Sequence, residues 1–333
     1  MITTKGQVGL HPSWIRLTHE EMVRGEYREE PPLLVDEFGE GILYPGGKTI
    51  IYAQPGKFKS YLIHQFCYFG AIGVDWLEYK FPKPIRSLYI AAEGTIGMYA
   101  ERAKHFHREG LNSADRLTFV LAGKDKRLSN SQRMQPLISL IRDTRPDVVV
   151  VDPIYMLMEG DENKGKDVST YLNYWDDVIA EFNIHNMHIH HSNKVSGYGF
   201  AGSGSSALRG HSNFIGWPDS IASIQEVKQS AALTLHWEKT RRGAPLPDRM
   251  FQFEEGTLMA AEKDADPASY IFQLLNENGE TDATELLQDV SANCEVDGRT
   301  ARRALDSLTK AGRIRWRKSE TDKRKHLYYI VGR

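Results

Sequence analysis

A lysine and a serine stand together at positions 59 and 60 in "KTIIYAQPGKFKSYLIHQF", just past a short β-branched run. A strand, a tight turn and a helix in that order aim backbone N–H groups and a helix dipole at one spot. An anion there needs little more than a lysine to complete its site. The phosphate-loop pattern is G-x-x-x-x-G-K-[ST]; aligned on Lys59-Ser60, it puts Ala53 and Phe58 where the glycines belong. Ala53, Gln54, Pro55, Gly56, Lys57, Phe58, Lys59 and Ser60 are therefore a candidate phosphate cradle. Lys59 would face the β/γ-phosphates and Ser60 a Mg2+ ion. Gly56 gives the turn a flexible centre, whereas a side chain at Phe58 must point away from a nucleotide. On spacing alone, an ordinary polar β–α turn fits equally well.

Two carboxylates shift that balance. Asp152 ends the apolar run "VVVVDP", where a second metal-side carboxylate is needed, and Glu93 closes "SLYIAAEG", where a base could orient an attacking water. Ligands of doubly wound sheets bind outside the carboxyl ends of the strands. Lys59, Glu93 and Asp152 all fall at such ends. One such charge is a solvated surface group, but three at matching strand ends favour ATP hydrolysis with Mg2+.

The elements that must position them alternate. Strands are expected at 48–53, 87–94, 116–122, in "PDVVVVDP" and in "NMHIHH". Helical spacing follows the loop (Tyr61, Leu62, Gln65, Phe66, Phe69, Ile72), runs on to Gly110, crosses "RMQPLISLIRDT", and recurs from Val168 to Phe182. "SIASIQEV" and "AALTLHWEKTR" read as a later hairpin. The pattern predicts an α/β domain with a mainly parallel twisted sheet. The expected divisions are an N-terminal arm (1–32), the α/β domain (33–257), a charged linker (258–267) and a C-terminal module (268–333).

In that module, helices are expected at about 268–278, 282–290 and 298–311, followed by the hairpin "RIRWRKSETDKRKHLYYIV". This is the pattern of a winged helix-turn-helix. The chain's net charge of −2 hides a polarity. Arg299 to Arg333 holds 12 Lys/Arg against 3 acids, and Thr257 to Gly298 holds 10 acids against Lys263 alone. Composition is that of a globular protein, with 41% hydrophobic and 26% charged residues. There is no membrane-length apolar run and no secretion-signal layout, and two distant cysteines make no disulfide framework. A cytoplasmic location is expected.

The order of phosphate loop, strand-end Glu, strand-end Asp and strand-end His resembles the RecA-fold ATPases. It looks closest to the hexameric replicative helicases of the DnaB and plasmid RepA kind, over roughly residues 33–255. Loops with an aromatic in place of the second glycine occur in that group. The resemblance implies that Glu93 is the catalytic glutamate and that Asp152 contacts Mg2+. In "HIHHSNK" it makes His191, or else His190, the γ-phosphate sensor; metal binding by His188 and His190 on one strand face is the competing reading. "HWEKTRRGAPLP" is similar to the late strand bearing a Lys-x-Arg pair. Lys239 and Arg241 would then reach the neighbouring subunit's γ-phosphate, with Arg242 as substitute if the register slips; the alternative is an exposed basic strand end.

In such rings the segment after the sensor strand faces the channel. Here "SNKVSGYGFAGSGSSALRG" offers Lys194, Tyr198 and Arg209 to single-stranded DNA, with 159–169 as a companion loop. The rival reading is a pair of surface loops. In the C-terminal module Arg299, Arg302 and Arg303 crowd one helix, while Arg317, Lys318, Lys323, Arg324 and Lys325 line the hairpin. That surface is expected to bind nucleic acid, with docking to a partner or neighbouring subunit as the alternative.

Together these readings predict a homo-oligomeric, hexameric ring that moves on single-stranded DNA and has no membrane role. A replication initiator, loader or primase is a candidate partner. The stretch before the loop is too short for the helical collar of DnaB-type enzymes. Two cysteines are too few for a primase zinc module built on four, which suggests a plasmid, phage or mobile element. The rivals are a filament-forming RecA/RadA-like recombinase and a DNA-binding regulator with a weak ATPase core.

Overall fold

The computed structural model describes residues 17–24, 30–113, 115–123, 127–128, 131–192, 208–227, 231–242, 246–261, 267–294 and 296–331. By contacts the chain divides into Met1–Pro31 and Pro32–Arg333. The first unit holds α1 (His19–Val23), fixed by a capping box. The Thr18 hydroxyl accepts the Glu21 N–H at 3.2 Å, and the Glu21 carboxylate accepts the Thr18 N–H at 2.6 Å.

The second unit opens with a ribbon of β1 (Leu34–Val35) and β2 (Gly41–Leu43). The expected alternation follows: β3 (Lys48–Ala53), α2 (Lys59–Ile72), β4 (Ser87–Ala91), α3 (Ile96–Phe106), β5 (Leu117–Leu121), α4 (Ser131–Thr144) and β6 (Val148–Asp152). Next come α5 (Ile154–Leu157), α6 (Gly165–Phe182), β7 (His185–His191), α7 (Asn213–Gly216), β8 (Ser220–Glu226), β9 (Leu233–Thr240), β10 (Arg249–Glu254) and β11 (Thr257–Ala260). The nine strands form one sheet in the order β11-β10-β9-β8-β3-β7-β6-β4-β5. From β8 to β5 every pairing is parallel, and β9, β10 and β11 add an antiparallel edge. Because β3 joins to β4 by crossing over β7 and β6 while β7 leads on to β8 at the other side of β3, the winding reverses beside β3, the place where sheets of this kind bind ligands.

Each sheet face carries its own core. α2 and α3 cover one face through residues such as Leu62, Phe66 and Phe106; α4 and α6 cover the other through Ile141, Trp175 and Val178. α2 is buried nearly all round rather than on one stripe, because the β10–β11 hairpin folds over it. The Gln65 side chain hydrogen-bonds both the N–H and the C=O of Leu258 (2.9 and 2.7 Å). Residues 258–260, expected to begin a linker, are therefore sheet edge. α3 stops at Phe106 rather than at Gly110, since His107 turns extended (ψ 135°).

The C-terminal part contains α8 (Pro267–Asn278), β12 (Thr281–Asp282), α9 (Ala283–Asn293), α10 (Gly298–Lys310), β13 (Ile314–Lys318) and β14 (His326–Ile330). Its sheet is three-stranded, β12-β14-β13, with Thr281 and Asp282 adding a strand to the expected hairpin. Ile271, Leu286, Leu305 and Ile314 form its core. Asp36 joins this part to the β1–β2 ribbon: wholly buried, it accepts N–H bonds from Phe38 and Glu40 (both 2.9 Å) and an Arg313 bond at 3.3 Å. The Phe38 and Phe272 rings lie beside that pair with centroids 4.4 Å apart. Among the described residues no helix is long and apolar enough to cross a membrane.

Candidate nucleotide-binding site

The turn after β3 works because of two left-handed residues. Gly56 takes φ 79°, and a Cβ there would meet nothing within 4 Å. Phe58, at φ 55° and ψ 13°, occupies the conformation that glycine normally supplies, at a cost of roughly 1–2 kcal/mol. Its ring leaves the cradle and stacks on Phe253 (centroids 5.4 Å, planes 18° apart), with Tyr61 edge-on at 6.4 Å. Aromatic pairs of this kind contribute about 0.5–1.5 kcal/mol, enough to offset much of the strain. Among the described residues no side chain caps α2, which leaves its first N–H groups to a ligand. The Lys59 ammonium, 6% exposed, turns back onto the carbonyls of Ala53 (2.9 Å) and Gln54 (2.7 Å). Burial pushes its pKa down to about 8, against the pull of Asp152 and Glu93. Lys57 pairs with Glu226 at the end of β8.

The acids sit at neighbouring strand ends. Ala91 of β4 pairs with Asp152 of β6, and Ala53 of β3 pairs with His191 of β7. The buried Asp152 carboxylate accepts hydrogen bonds from the Tyr89 and Ser60 hydroxyls. Burial raises its pKa, and those two bonds oppose the rise. Ser60 and Asp152 are thus already in contact, as two groups holding one cation must be. Exposed Glu93 accepts a hydrogen bond from Tyr155, whose ring lies 5.4 Å from that of His191. Burial and the Glu93 bond push the Tyr155 phenol up to about 12. His191 is half-buried, with Nδ1 unpartnered among the described residues; burial and then Lys59 lower its pKa.

His190 and His188 point to the opposite face of the sheet. His188 is enclosed by Tyr171, Trp175 and Trp217, and His190 packs on Phe214. Burial takes both pKa values down to about 3. Among the described residues no three His, Cys, Asp or Glu side chains gather to hold a metal. The strand's alternation makes these two histidines part of the core.

The bases of the two candidate loops meet beside His191. Ser192 pairs with Leu208, and the Arg209 N–H donates to the His191 carbonyl at 3.2 Å. The Arg209 side chain forms an ion pair with Glu162, a largely buried acid in the 159–169 segment. Gly210, at φ 94°, lets the two chains touch: a Cβ there would stand 2.7 Å from the Glu162 carbonyl. Arg209 is thus a strut of the loop base with half its side chain exposed. Lys194 and Tyr198 lie outside the described residues.

Lys239 and Arg241 are elsewhere. β9 runs antiparallel to β8, so Lys239 pairs with Ile221 and Thr240 with Ser220, at the level where β3 begins. The cradle follows the other end of β3, about 15 Å away along the strand. Lys239 donates to the carbonyls of Ile215 (2.8 Å) and Pro218 (2.6 Å); Arg241 bonds Gly216 O (3.0 Å) and Asp219 (3.1 Å). Neither reaches the cradle of its own chain.

On the C-terminal part, Asp297 caps α10. Arg302 pairs with Asp306, Arg324 with Asp322, and Arg317 with Glu280 and Glu320. The Arg317 guanidinium is held two-pronged by Glu280 (3.0 and 2.7 Å). Arg299, Arg303, Lys318, Lys323 and Lys325 make no ion pair among the described residues.

Sequence reasoning missed several site groups. Tyr89 reads as core within "SLYIA", and Tyr155 follows Asp152 without any periodic signal. Arg102 of α3 lies over the rings of Tyr61 (5.6 Å) and Tyr99 (5.2 Å), with one buried guanidinium nitrogen unpartnered among the described residues.

An uncapped helix start, an inturned lysine, and a serine bonded to a buried aspartate fit a nucleoside triphosphate with its divalent cation. Residues 17–197 match the family model described as an AAA domain (AAA_25). No curated protein matches the chain significantly. With more than half its length under that match, and with this cradle at the carboxyl edge of a mostly parallel sheet, the chain belongs to the AAA domain family and is a nucleotide-hydrolysing P-loop ATPase.

Proposed function

We propose that the protein is an ATP-driven translocase on single-stranded DNA, working as a ring of identical subunits, six by resemblance to replicative helicases. ATP would lie along the turn from Ala53 to Ser60, with Lys59 on its terminal phosphates and Ser60 and Asp152 holding Mg2+. Bound Mg2+ would supply neutralisation of phosphate charge. Glu93 would orient the attacking water once its Tyr155 bond is released. His191 would report the γ-phosphate to the loop bases at Ser192 and Arg209.

The observation that carries this reading is the junction beside His191. One side chain stands at the phosphate end of the site, and its own carbonyl is bonded to the base of the loop offered to the strand. A hydrolysis signal there has a short covalent route to nucleic acid. The far-end position of Lys239 and Arg241 supports the ring, because an ATP role for them requires a neighbouring subunit. Read as a winged helix, α8, α9 and α10 with the β13–β14 hairpin would give the ring a second nucleic-acid surface.

The test is ATP turnover with and without single-stranded DNA, measured alongside the mass of the ATP-bound assembly. A several-fold stimulation with a closed ring supports the proposal. Turnover indifferent to DNA, or a helical filament, would refute it.

A further inference from the structure

Trp316 is a large aromatic side chain left exposed beside buried core residues of its own strand pair. Ile314, Trp316 and Lys318 share one face of β13, since side chains alternate along a strand. Ile314 on that face is wholly buried, and Tyr328, directly across from Trp316, is 3% exposed. Trp316 is 44% exposed. It is held flat all the same: the His326 ring stacks on it with centroids 4.2 Å and planes 25° apart. Lys318 pairs with His326 in register, and Lys323 and Lys325 follow in the turn joining the two strands. None of these three lysines has an ion-pair partner among the described residues. Arg302 of α10 lies within electrostatic reach of Tyr328 on the same side.

A large ring, oriented by a second ring on a hairpin that carries three lysines without an ion-pair partner among the described residues, suits an occupant that is flat, apolar on its faces and attached to negative charge. An unpaired nucleobase on its phosphodiester strand has those properties. A duplex hides its base faces, and an acidic peptide offers charge without a matching plane. We infer that Trp316, supported by His326, is a stacking platform for an unpaired base of a single strand, with Lys318, Lys323 and Lys325 holding the flanking phosphates. This deepens the nucleic-acid reading above and rests on it. It gives the C-terminal part a preference for single strands, where a winged-helix layout by itself would suggest a duplex.

The experiment uses the full chain and three fluorescent probes at fixed salt: a 20-nucleotide oligothymidine, an abasic phosphodiester strand of equal length and charge, and a 20-base-pair duplex. Wild type should bind the oligothymidine at least about fivefold more tightly than the abasic strand, the lower end of what one stacked base contributes. Trp316→Ala should lose that preference while still binding both strands, and Trp316→Phe, which keeps a flat ring, should retain most of it. Circular dichroism checks that both variants remain folded. Equal binding of base-bearing and abasic strands by wild type, or a preference surviving in Trp316→Ala, would overturn the platform while leaving the nucleic-acid reading intact. Failure of wild type to bind any of the three probes would overturn both.

Discussion

Lys59 shows how a single side chain reports the state of this site. Its ammonium rests on two backbone carbonyls, and burial lowers its pKa to about 8. Bound phosphates favour the charged form, so nucleotide binding must pull a proton onto this lysine wherever the free amine is neutral. ATP affinity is therefore flat below pH 8 and weakens about tenfold per unit above it. Titration with a fluorescent ATP analogue between pH 7 and 9.5 would show the step, and in Lys59→Arg the step should vanish. An affinity independent of pH across that range would contradict the assignment. Phe58→Gly relieves the left-handed strain but loses the ring stack, so its melting temperature should stay close to wild type. Phe58→Ala keeps the strain and loses the stack, and should melt lower, by about 1 kcal/mol of stability. Equal melting of the two variants would remove the strain argument.

Strand β7 shows what an element can disguise. Its run of histidines looks chemical, yet the period-two alternation sends His188 and His190 into an aromatic core and only His191 toward the cradle. Their folded pKa values, near 3, lie below the unfolded value of about 6.5. A depressed histidine pKa gives stability that is present above the unfolded value and lost as pH falls toward the folded one. Each such histidine removes up to about 1.4 kcal/mol per pH unit between roughly 6.5 and 3. Thermal melts should therefore drop steadily from pH 7 to pH 4.5, and His188→Leu should flatten that slope. A variant as acid-sensitive as wild type would show that His188 does not titrate on unfolding. The alternation of helices and strands was legible because buried parallel strands read as apolar runs, and the positions of Glu93 and Asp152 were legible because they close such runs. The Tyr155 bond, the Glu162–Arg209 pair and the β10–β11 cover of α2 were not. They are contacts across long sequence separations, and no local period encodes them.

For the whole molecule, the proposed ring asks for what one chain cannot do alone. Lys239 and Arg241 stand at the end of the sheet opposite the cradle, bonded to the 215–219 turn of their own chain. If they serve a neighbour's ATP, chains carrying Lys59→Ala and chains carrying Arg241→Ala should each be inactive, yet recover on mixing. In a random equimolar ring about a quarter of the interfaces join an intact cradle to an intact arginine. A mixture as inactive as its components would make the pair purely structural. The basic C-terminal surface was visible in composition, but its pairing was not: Glu280 comes from a distant segment and holds Arg317, an arginine that composition alone leaves free. Beneath all of this lies the chemistry of one acid. The most direct measurement is Mg2+-ATP binding and steady-state hydrolysis by wild type and by Glu93→Gln, side by side. Nucleotide affinity should be unchanged and turnover should fall by about 100-fold or more, as expected when the group that orients the water is neutralised. Turnover by Glu93→Gln at the wild-type rate, or wild-type protein that retains no nucleotide, would contradict that chemistry.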